Sequence, residues 1–342
     1  VSVLKLCTLG AGYFSQFHYR AWARIGDVEL VGICDRNRDA IKRIATGFPA
    51  ARTYGDLAAM LDAERPDVLD VIVPPAGHLD AVRAAAARGI HVICQKPFCG
   101  TLEAAEAAAE LAGAAGITLI VHENFRFQPW YGKLREYIEG GTLGQIYSVN
   151  FRLRPGDGQG PDAYLDRQPY FREMPRFMVH ETGVHFVDVF RYLLGDVHAV
   201  TARLRRINPA IAGEDAGHVV IEMVNGATAI LDANRLSDHP ASNRRRTLGE
   251  MLVEAEAGVV TITGDGDILL RRHGENSLEA VDYQWRDVDF GGDCVYRTQA
   301  AAVSALLGRA PAINTAEQYL VNLRIEEAIY ESHEQGRRIV LR

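Results

Sequence analysis

The chain has 342 residues, 48% of them hydrophobic and 24% charged, with a formal net charge of −7 at pH 7. That is enough chain for two ordinary domains, and the composition is that of a globular enzyme. The negative balance argues against a broad nucleic-acid-binding surface, and no apolar run nears the ~20 residues that span a bilayer, so neither nucleic acid nor membrane is expected as a partner.

In chain order, residues 1–121 alternate between two periods. Short apolar runs rich in branched residues, Leu4–Leu9, Val28–Cys34, Val68–Val73, Ile90–Cys94 and Ile117–Val121, read as strands. The Ala-rich stretches between them, Phe14–Ile25, Ala40–Thr46, Leu57–Ala63, Leu79–Arg88 and Leu102–Ala115, read as helices. Asp56 and Thr101 suit N-caps, and Gly89 and Gly116 suit helix stops. Strands without a polar face, alternating with helices, predict a parallel α/β sheet.

The pattern changes near residue 122. Glu123 to Gly141 reads as a turn into a helix, Gln145–Leu153 as a strand, Pro155 to Pro175 as a loop, and Phe177–Leu194 as a helix. Alternating strands follow at Ala199–Ile207, His218–Val224, Ala227–Asn234, Glu250–Glu256 and Val259–Thr263, which predicts an open, mostly antiparallel sheet. Helices Cys294–Leu307 and Ala316–Gln335 close an α+β domain over 122–342, and the last helix and the run Arg338–Leu341 could pack on either domain.

Val1 to Gly10 reads as a strand rather than as a charged and then apolar leader, so the expected location is the cytoplasm. The five cysteines, Cys7, Cys34, Cys94, Cys99 and Cys294, form no CxxC pair and are expected as free thiols. The basic run Arg244-Arg245-Arg246 reads as a solvated turn in preference to an anion site.

Gly10-Ala11-Gly12-Tyr13-Phe14-Ser15 follows the first strand and opens the first helix. Gly10 permits the tight turn, Gly12 lets the backbone approach a pyrophosphate, and the helix N-terminus offers that anion its free N–H groups. This is the glycine turn of a Rossmann domain, with Ser15 where Gly or Ala is usual. Asp35 lies 20 residues after Ser15 at the end of the second strand, where an acid bonds the ribose hydroxyls of NAD. A 2′-phosphate would meet like charge there, which favours NAD; the neighbouring Arg36 leaves NADP open.

Pro74-Pro75-Ala76-Gly77-His78, Gln95-Lys96-Pro97, Glu123-Asn124-Phe125-Arg126-Phe127 and His180-Glu181-Thr182-Gly183-Val184-His185 then follow in order. Together they resemble the glucose-fructose oxidoreductase / inositol dehydrogenase / MocA family over essentially the whole chain. The resemblance implies a Rossmann domain, a substrate-binding second domain that commonly forms the oligomer interface, and a homodimer or homotetramer. It further implies a nicotinamide-dependent oxidoreductase acting on a small sugar, sugar acid or polyol. Within the family, the Glu123 run together with the His180 run is similar to the branch that oxidises D-apiose to its aldonolactone. Two departures stand out: Gln95 replaces the family's Glu, and Glu181 replaces an Asp.

On that resemblance Lys96 and His185 are the expected catalytic pair. The ammonium would bond the reacting oxygen, and the imidazole, with a reference pKa of ~6.5, would take the proton. Gly10, Gly12, Tyr13, Phe14, Asp35, Arg36, Pro74, His78, Gln95, Lys96 and Asn124 are the expected cofactor contacts. Asn124, Arg126, Arg152, Tyr164, Arg172, His180 and Glu181 are expected around the substrate, with Arg154 a further candidate. Several arginines there suit a carboxylated sugar. Glu181 lies at i−4 from His185 and on a helix would share its face. His180 and His185 lie at i and i+5, ~140° apart on a regular helix, so no metal is expected. Competing readings are a non-enzymatic dinucleotide sensor, which would need neither Lys96 nor His185, an imine or biliverdin reductase, and an enzyme that uses a tightly held cofactor to exchange hydride between two sugars.

Overall fold

The run Leu4–Leu9 forms β1, with Leu6, Cys7 and Thr8 fully buried. The structure is a computed structural model that describes residues 3–341; residues 1, 2 and 342, which the expected domains include, lie outside it. After β1 come α1 (Ser15–Trp22), β2 (Val28–Cys34), α2 (Arg38–Ala45), β3 (Arg52–Tyr54), α3 (Leu57–Glu64) and β4 (Val68–Val71). They are followed by α4 (His78–Ala86), β5 (His91–Cys94), α5 (Leu102–Ala115) and β6 (Leu119–Val121). The six strands pair in parallel in the order β3-β2-β1-β4-β5-β6. The order reverses between β1 and β4, so their carboxyl ends flank the crevice where open α/β sheets bind ligands. β3 was announced by no apolar run because it is a short edge strand whose residues are largely exposed. The expected caps are in place: Asp56 accepts from the Ala59 N–H at 2.8 Å and Thr101 from the Ala104 N–H at 3.2 Å.

In the second unit, α6 (Pro129–Glu139) and β7 (Ile146–Leu153) lead through a loop to a π-helical turn, Met178–Gly183, which runs into α7 (Val184–Leu194). Strands β8 (Val197–Arg205), β9 (Ala216–Met223), β10 (Thr228–Asn234), β11 (Gly249–Ala255), β12 (Gly258–Ile262), β13 (Ile268–Arg272) and β14 (Glu279–Ala280) follow, then α8 (Cys294–Leu306), α9 (Ala316–Gln335) and β15 (Ile339–Val340). The nine-stranded sheet runs β14-β13-β12-β11-β7-β10-β9-β8-β15 and is antiparallel except where β10 pairs β7. Its buried face packs on α7, where Phe151 stacks on Phe186 with ring centroids 3.8 Å apart. The parallel Rossmann sheet and the mostly antiparallel second sheet are the two architectures expected from the patterning.

The compact units do not follow one cut in the chain. The first comprises the chain through Asn124 together with Val295–Val321, and the second comprises Phe125–Cys294 and the chain from Asn322 onward. The expected cut lay between 121 and 122 and left residues 295–321 with the second domain. Packing explains the difference: Ala302 and Val303 of α8 are buried among Leu6, Trp22, Val68, Ile93 and Ile120 of the first sheet. At the other end of the chain, β15 pairs β8, which puts the terminal run in the second unit.

All five cysteines are free and buried. Within the basic run, Arg246 bridges Asp265 at 2.6 Å and Asp287 at 2.5 Å, and Arg244 meets Asp238 at 2.8 Å, so acids meet both of these charges. No helix among the described residues is long and apolar enough to cross a membrane.

Candidate active site

The glycine turn is built for close approach of a ligand. Gly10 has φ +118°, and a Cβ there would lie 2.8 Å from the Ile72 carbonyl carbon, so only glycine fits. A Cβ on Gly12 would meet nothing within 4 Å; the backbone there faces open space that a pyrophosphate can occupy. Ser15, the unusual third position, is buried and donates to the Gly12 carbonyl at 2.7 Å, bracing the turn from inside. The Tyr19 hydroxyl bonds Thr8 Oγ1 at 2.7 Å and the Gly10 carbonyl at 3.1 Å from beneath. Asp35 reaches the same turn: Oδ2 accepts from the Ala11 N–H at 2.6 Å and Oδ1 from the Asn37 N–H at 2.7 Å. An ionised carboxylate has about four lone-pair sites, so capacity for ribose hydroxyls remains. Tyr13 and Arg36 are exposed beside the turn, and Phe14 is half-buried.

The loops after β4 and β5 come next along the sheet edge. Pro74 is exposed at the end of β4's loop. His78 is fully buried; Nε2 donates to the Val73 carbonyl at 2.8 Å and Nδ1 accepts from the Cys99 N–H at 3.2 Å. Both ring nitrogens are therefore used to tie the two loops together, and burial pushes its pKa down to about 4, only partly offset by the Val73 bond. Gln95 and Lys96 follow β5, and the Lys96-Pro97 peptide is cis. The Gln95 side chain is buried over His18 and His122, with Nε2 2.7 Å from His18 Nε2. Asn124 is 3% exposed, and its side-chain carbonyl has no hydrogen-bond partner among the described residues, an acceptor left for a ligand.

In the second unit the site residues hang on the π-helical turn. Such turns recur at functional sites. Buried Glu214 accepts from the Phe177 N–H at 3.1 Å, the Val179 N–H at 3.0 Å and the Tyr330 hydroxyl at 2.7 Å, satisfying donors that begin the turn. Tyr330 and Glu326 of α9 hold His180, the hydroxyl accepting its N–H at 3.2 Å and the carboxylate meeting Nδ1 at 2.6 Å. His185, on the first turn of α7, is 5% exposed and stacks flat on Phe125, centroids 3.8 Å apart and planes 2° from parallel. Glu181 bonds Thr182 and lies 3.5 Å from Arg235, a fully buried guanidinium. Arg235 forks onto Asp157 at 3.1 and 2.7 Å and lies over the rings of Tyr164, Phe171 and Phe177. Burial works against that charge, but Asp157 and Glu181 together raise its pKa beyond the ordinary arginine value.

The substrate residues expected from sequence are not all brought together. Tyr164 is a buried member of the aromatic cluster around Arg235 rather than an exposed wall. Arg126 forks onto buried Asp188 at 2.7 and 2.5 Å, so it anchors the short turn Phe125–Phe127 to α7. Arg154 is tied to Asp232 at 2.7 Å. Arg152 is 58% exposed and alternates with Phe151 and Leu153, which places it on the sheet face opposite α7 and His185. Arg172 donates to the Ala210 carbonyl at 3.3 Å. His180 and His185 do not keep the spacing of a regular helix, because the π turn Met178–Gly183 closes at i→i+5. Among the described residues no group of three or more His, Cys, Asp or Glu stands together to hold a metal ion. Sequence reasoning passed over His18, Asp70, Asp157, Asp188, Glu214 and Arg235. Asp70 within Val-Leu-Asp-Val and Asp188 within Phe-Val-Asp-Val-Phe did carry a signal, a lone acid inside an apolar run.

Comparison with known proteins places this geometry. Residues 4–123 match the model of an oxidoreductase family with an NAD-binding Rossmann fold, and residues 131–251 match the GFO/IDH/MocA C-terminal domain. A D-apiose dehydrogenase of Paraburkholderia graminis is 30% identical over all of this chain and 91% of its own length. A second D-apiose dehydrogenase, from Rhizobium rhizogenes, is 30% identical over 98% of this chain and 97% of its own. An oxidoreductase from Agrobacterium radiobacter, solved in complex with NAD+, L-tartaric acid and magnesium, superposes with a TM-score of 0.89 at 27% identity, covering 99% of this chain and 98% of its own.

Two measurements check the scaffold. An unfolded histidine gains its proton near pH ~6.5, whereas buried His78 resists until about 4. Its contribution to stability is whole above pH ~6.5 and is lost as pH falls toward 4, by up to about 3 kcal/mol. In His78→Gln that contribution is absent, so the gap in unfolding free energy from wild type narrows by about that much between pH 7 and pH 4; a gap constant with pH contradicts the assignment. Glu214→Ala strands two buried N–H groups and should cost about 3 kcal/mol in denaturant unfolding, with loss of turnover. Wild-type stability and rate would show that the π turn does not depend on it.

Proposed function

The chain belongs to the Gfo/Idh/MocA oxidoreductase family and is an NAD(P)-dependent oxidoreductase acting on CH–OH groups, and from there we propose that it uses NAD to oxidise D-apiose to its aldonolactone. The observation that carries the substrate is the end-to-end similarity to two D-apiose dehydrogenases. Asp35 carries the cofactor preference: its carboxylate lies at the glycine turn, where it suits ribose hydroxyls and repels a 2′-phosphate. The neighbouring Arg36 is exposed, so a weaker NADP activity is expected rather than none. The enzyme is assigned to the cytoplasm as a homodimer or homotetramer.

The residues present fit the cofactor, since Gly10, Gly12 and the first turn of α1 form a cradle for a pyrophosphate and Asn124 holds out an acceptor. Bound NAD would accept the hydride from the anomeric carbon. Lys96, at the carboxyl end of β5, would bond the reacting oxygen and stabilise the negative charge that develops on it. His185 would take the hydroxyl proton, its ring plane held by the Phe125 stack. Glu181 retains acceptor sites beyond its contacts with Thr182 and Arg235 and is assigned to a sugar hydroxyl. Arg126, Arg152 and Tyr164 are assigned no substrate contact, and His78 shapes the loops without touching the cofactor.

A panel of D-apiose, other pentoses, hexoses, inositols and aldonates, followed by reduced-nicotinamide absorbance with NAD and with NADP, tests the proposal. The highest kcat/KM is expected for D-apiose with NAD; a protein that binds NAD and turns over none of the panel removes the dehydrogenase reading of this site. Lys96→Ala should keep NAD binding and lose at least ~100-fold in kcat, and unchanged kcat would take Lys96 out of the chemistry. Asp35→Ala should weaken NAD much more than NADP; equal losses would contradict the ribose assignment.

A further inference from the structure

Gln95 stands where the family motif has an acid, and the side chains around it account for every proton. Its backbone N–H bonds the Val71 carbonyl at 2.9 Å, which fixes the residue to β4. Its side-chain Oε1 accepts from the Lys96 backbone N–H at 2.9 Å. That bond settles the orientation of the amide, because only the oxygen can face an N–H donor. The NH2 group then faces the other way, with Nε2 2.7 Å from His18 Nε2 and 3.5 Å from His122 Nδ1. An amide nitrogen has only protons to give, so His18 Nε2 must present its lone pair. The remaining ring proton is on Nδ1, which donates to Asp70 Oδ2 at 2.8 Å. The same oxygen accepts from Trp22 Nε1 at 2.7 Å, while Oδ1 has no partner among the described residues. His18 and Asp70 are both fully buried, where a mismatched donor or acceptor is expensive.

We infer that Gln95 is the positioning residue for Lys96, held by a buried Asp70–His18 pair that is committed to the neutral Nδ1–H tautomer, and that the amide is required there because of that commitment. The inference rests on Lys96 acting at the reacting oxygen. The proton order runs from Trp22 and His18 into Asp70, from Gln95 into His18, and from the Lys96 N–H into Gln95. A glutamate at this position can accept from Lys96 but has no proton for His18. Its second oxygen would face the lone pair of Nε2 unless His18 became an imidazolium between two carboxylates. The motif residue and the tautomer therefore belong together: with Gln95, the grip on Lys96 needs no ionisation at His18; with an acid, it would depend on one. The other titratable groups around His18 do not supply that proton. Burial pushes the Tyr19 hydroxyl of α1 and the Cys94 thiol of β5 well up, so both stay neutral; Asp70 meets Nδ1 at 2.8 Å, and the ring of His122 lies 4.2 Å from that of His18.

The test has two arms on the full-length enzyme. The first is nitrogen NMR of protein labelled in histidine, with His18 assigned by loss of its signal in His18→Gln. The expected spectrum is a ring protonated at Nδ1 and bare at Nε2; a doubly protonated or an Nε2–H ring overturns the inference at its root. The second is the pH profile of Gln95→Glu. Its kcat relative to wild type should fall at least about tenfold from pH 6 to pH 9 as His18 gives up its proton, with the KM for NAD unmoved, a loss the size of one hydrogen bond to a charged group. A ratio flat in pH shows that the network does not position Lys96. Retained turnover in Lys96→Ala would break the link to chemistry while leaving the tautomer result standing, so the two readings fail separately.

Discussion

A carboxylate with no exposure to water must be met by donors that leave it nowhere else to go, and Asp70 sets that requirement in the middle of the parallel sheet. It lies on β4, fully buried, and takes the indole N–H of Trp22 and the imidazole N–H of His18 on one oxygen. Both donors come from α1, the helix that follows the glycine turn. The register of that helix against β4 is thereby fixed at two points four residues apart. His18 in turn receives Gln95, and Gln95 receives the backbone of Lys96. One buried acid thus links the helix that follows the glycine turn to the backbone of Lys96. Losing either donor would leave a buried charge short of partners, which is why such a network specifies one arrangement rather than several.

The second unit uses the same physics for a different purpose. A π-helical turn is not self-sufficient, because its widened winding leaves backbone donors that a regular helix would satisfy. Glu214 supplies the acceptors, and Tyr330 and Glu326 on α9 hold His180 at the turn's middle. Arg235, caged by three aromatic rings and forked onto Asp157, secures Thr182 at the far end of the turn. The turn then delivers His185 onto the flat face of Phe125. Arginines that looked like substrate ligands are spent on this framework: Arg126 on Asp188 and Arg154 on Asp232. A planar guanidinium that can satisfy a carboxylate with two parallel bonds suits interior construction as well as recognition.

These two frameworks leave few polar groups for a small ligand. Ser15 turns its hydroxyl inward to the Gly12 carbonyl, and His78 uses both ring nitrogens on backbone. In the first unit, Asn124, the open side of Gly12 and the remaining acceptor sites of Asp35 are among the groups left for a ligand. A site of this kind takes its specificity from shape and from a small number of placed groups rather than from a wall of charge.

How much of this was legible beforehand follows from the range of the interactions. The parallel sheet, the glycine turn, Asp35 and the caps at Asp56 and Thr101 could be read directly, because each depends on residues close together in sequence or on a period of two or 3.6. The short edge strand β3 could not, since an exposed strand of this length has no apolar face to announce it. Nor could the return of α8 to the first sheet, because its apolar side chains suit either sheet and only packing on Leu6 and Ile93 chooses. The amino-acid sequence by itself determined two architectures, a dinucleotide turn and a Lys and a His in family order. Tertiary structure alone decided which polar residues are consumed inside, because a buried charge is defined by partners distant in sequence: Asp70 by Trp22 and His18, Arg235 by Asp157, Arg126 by Asp188.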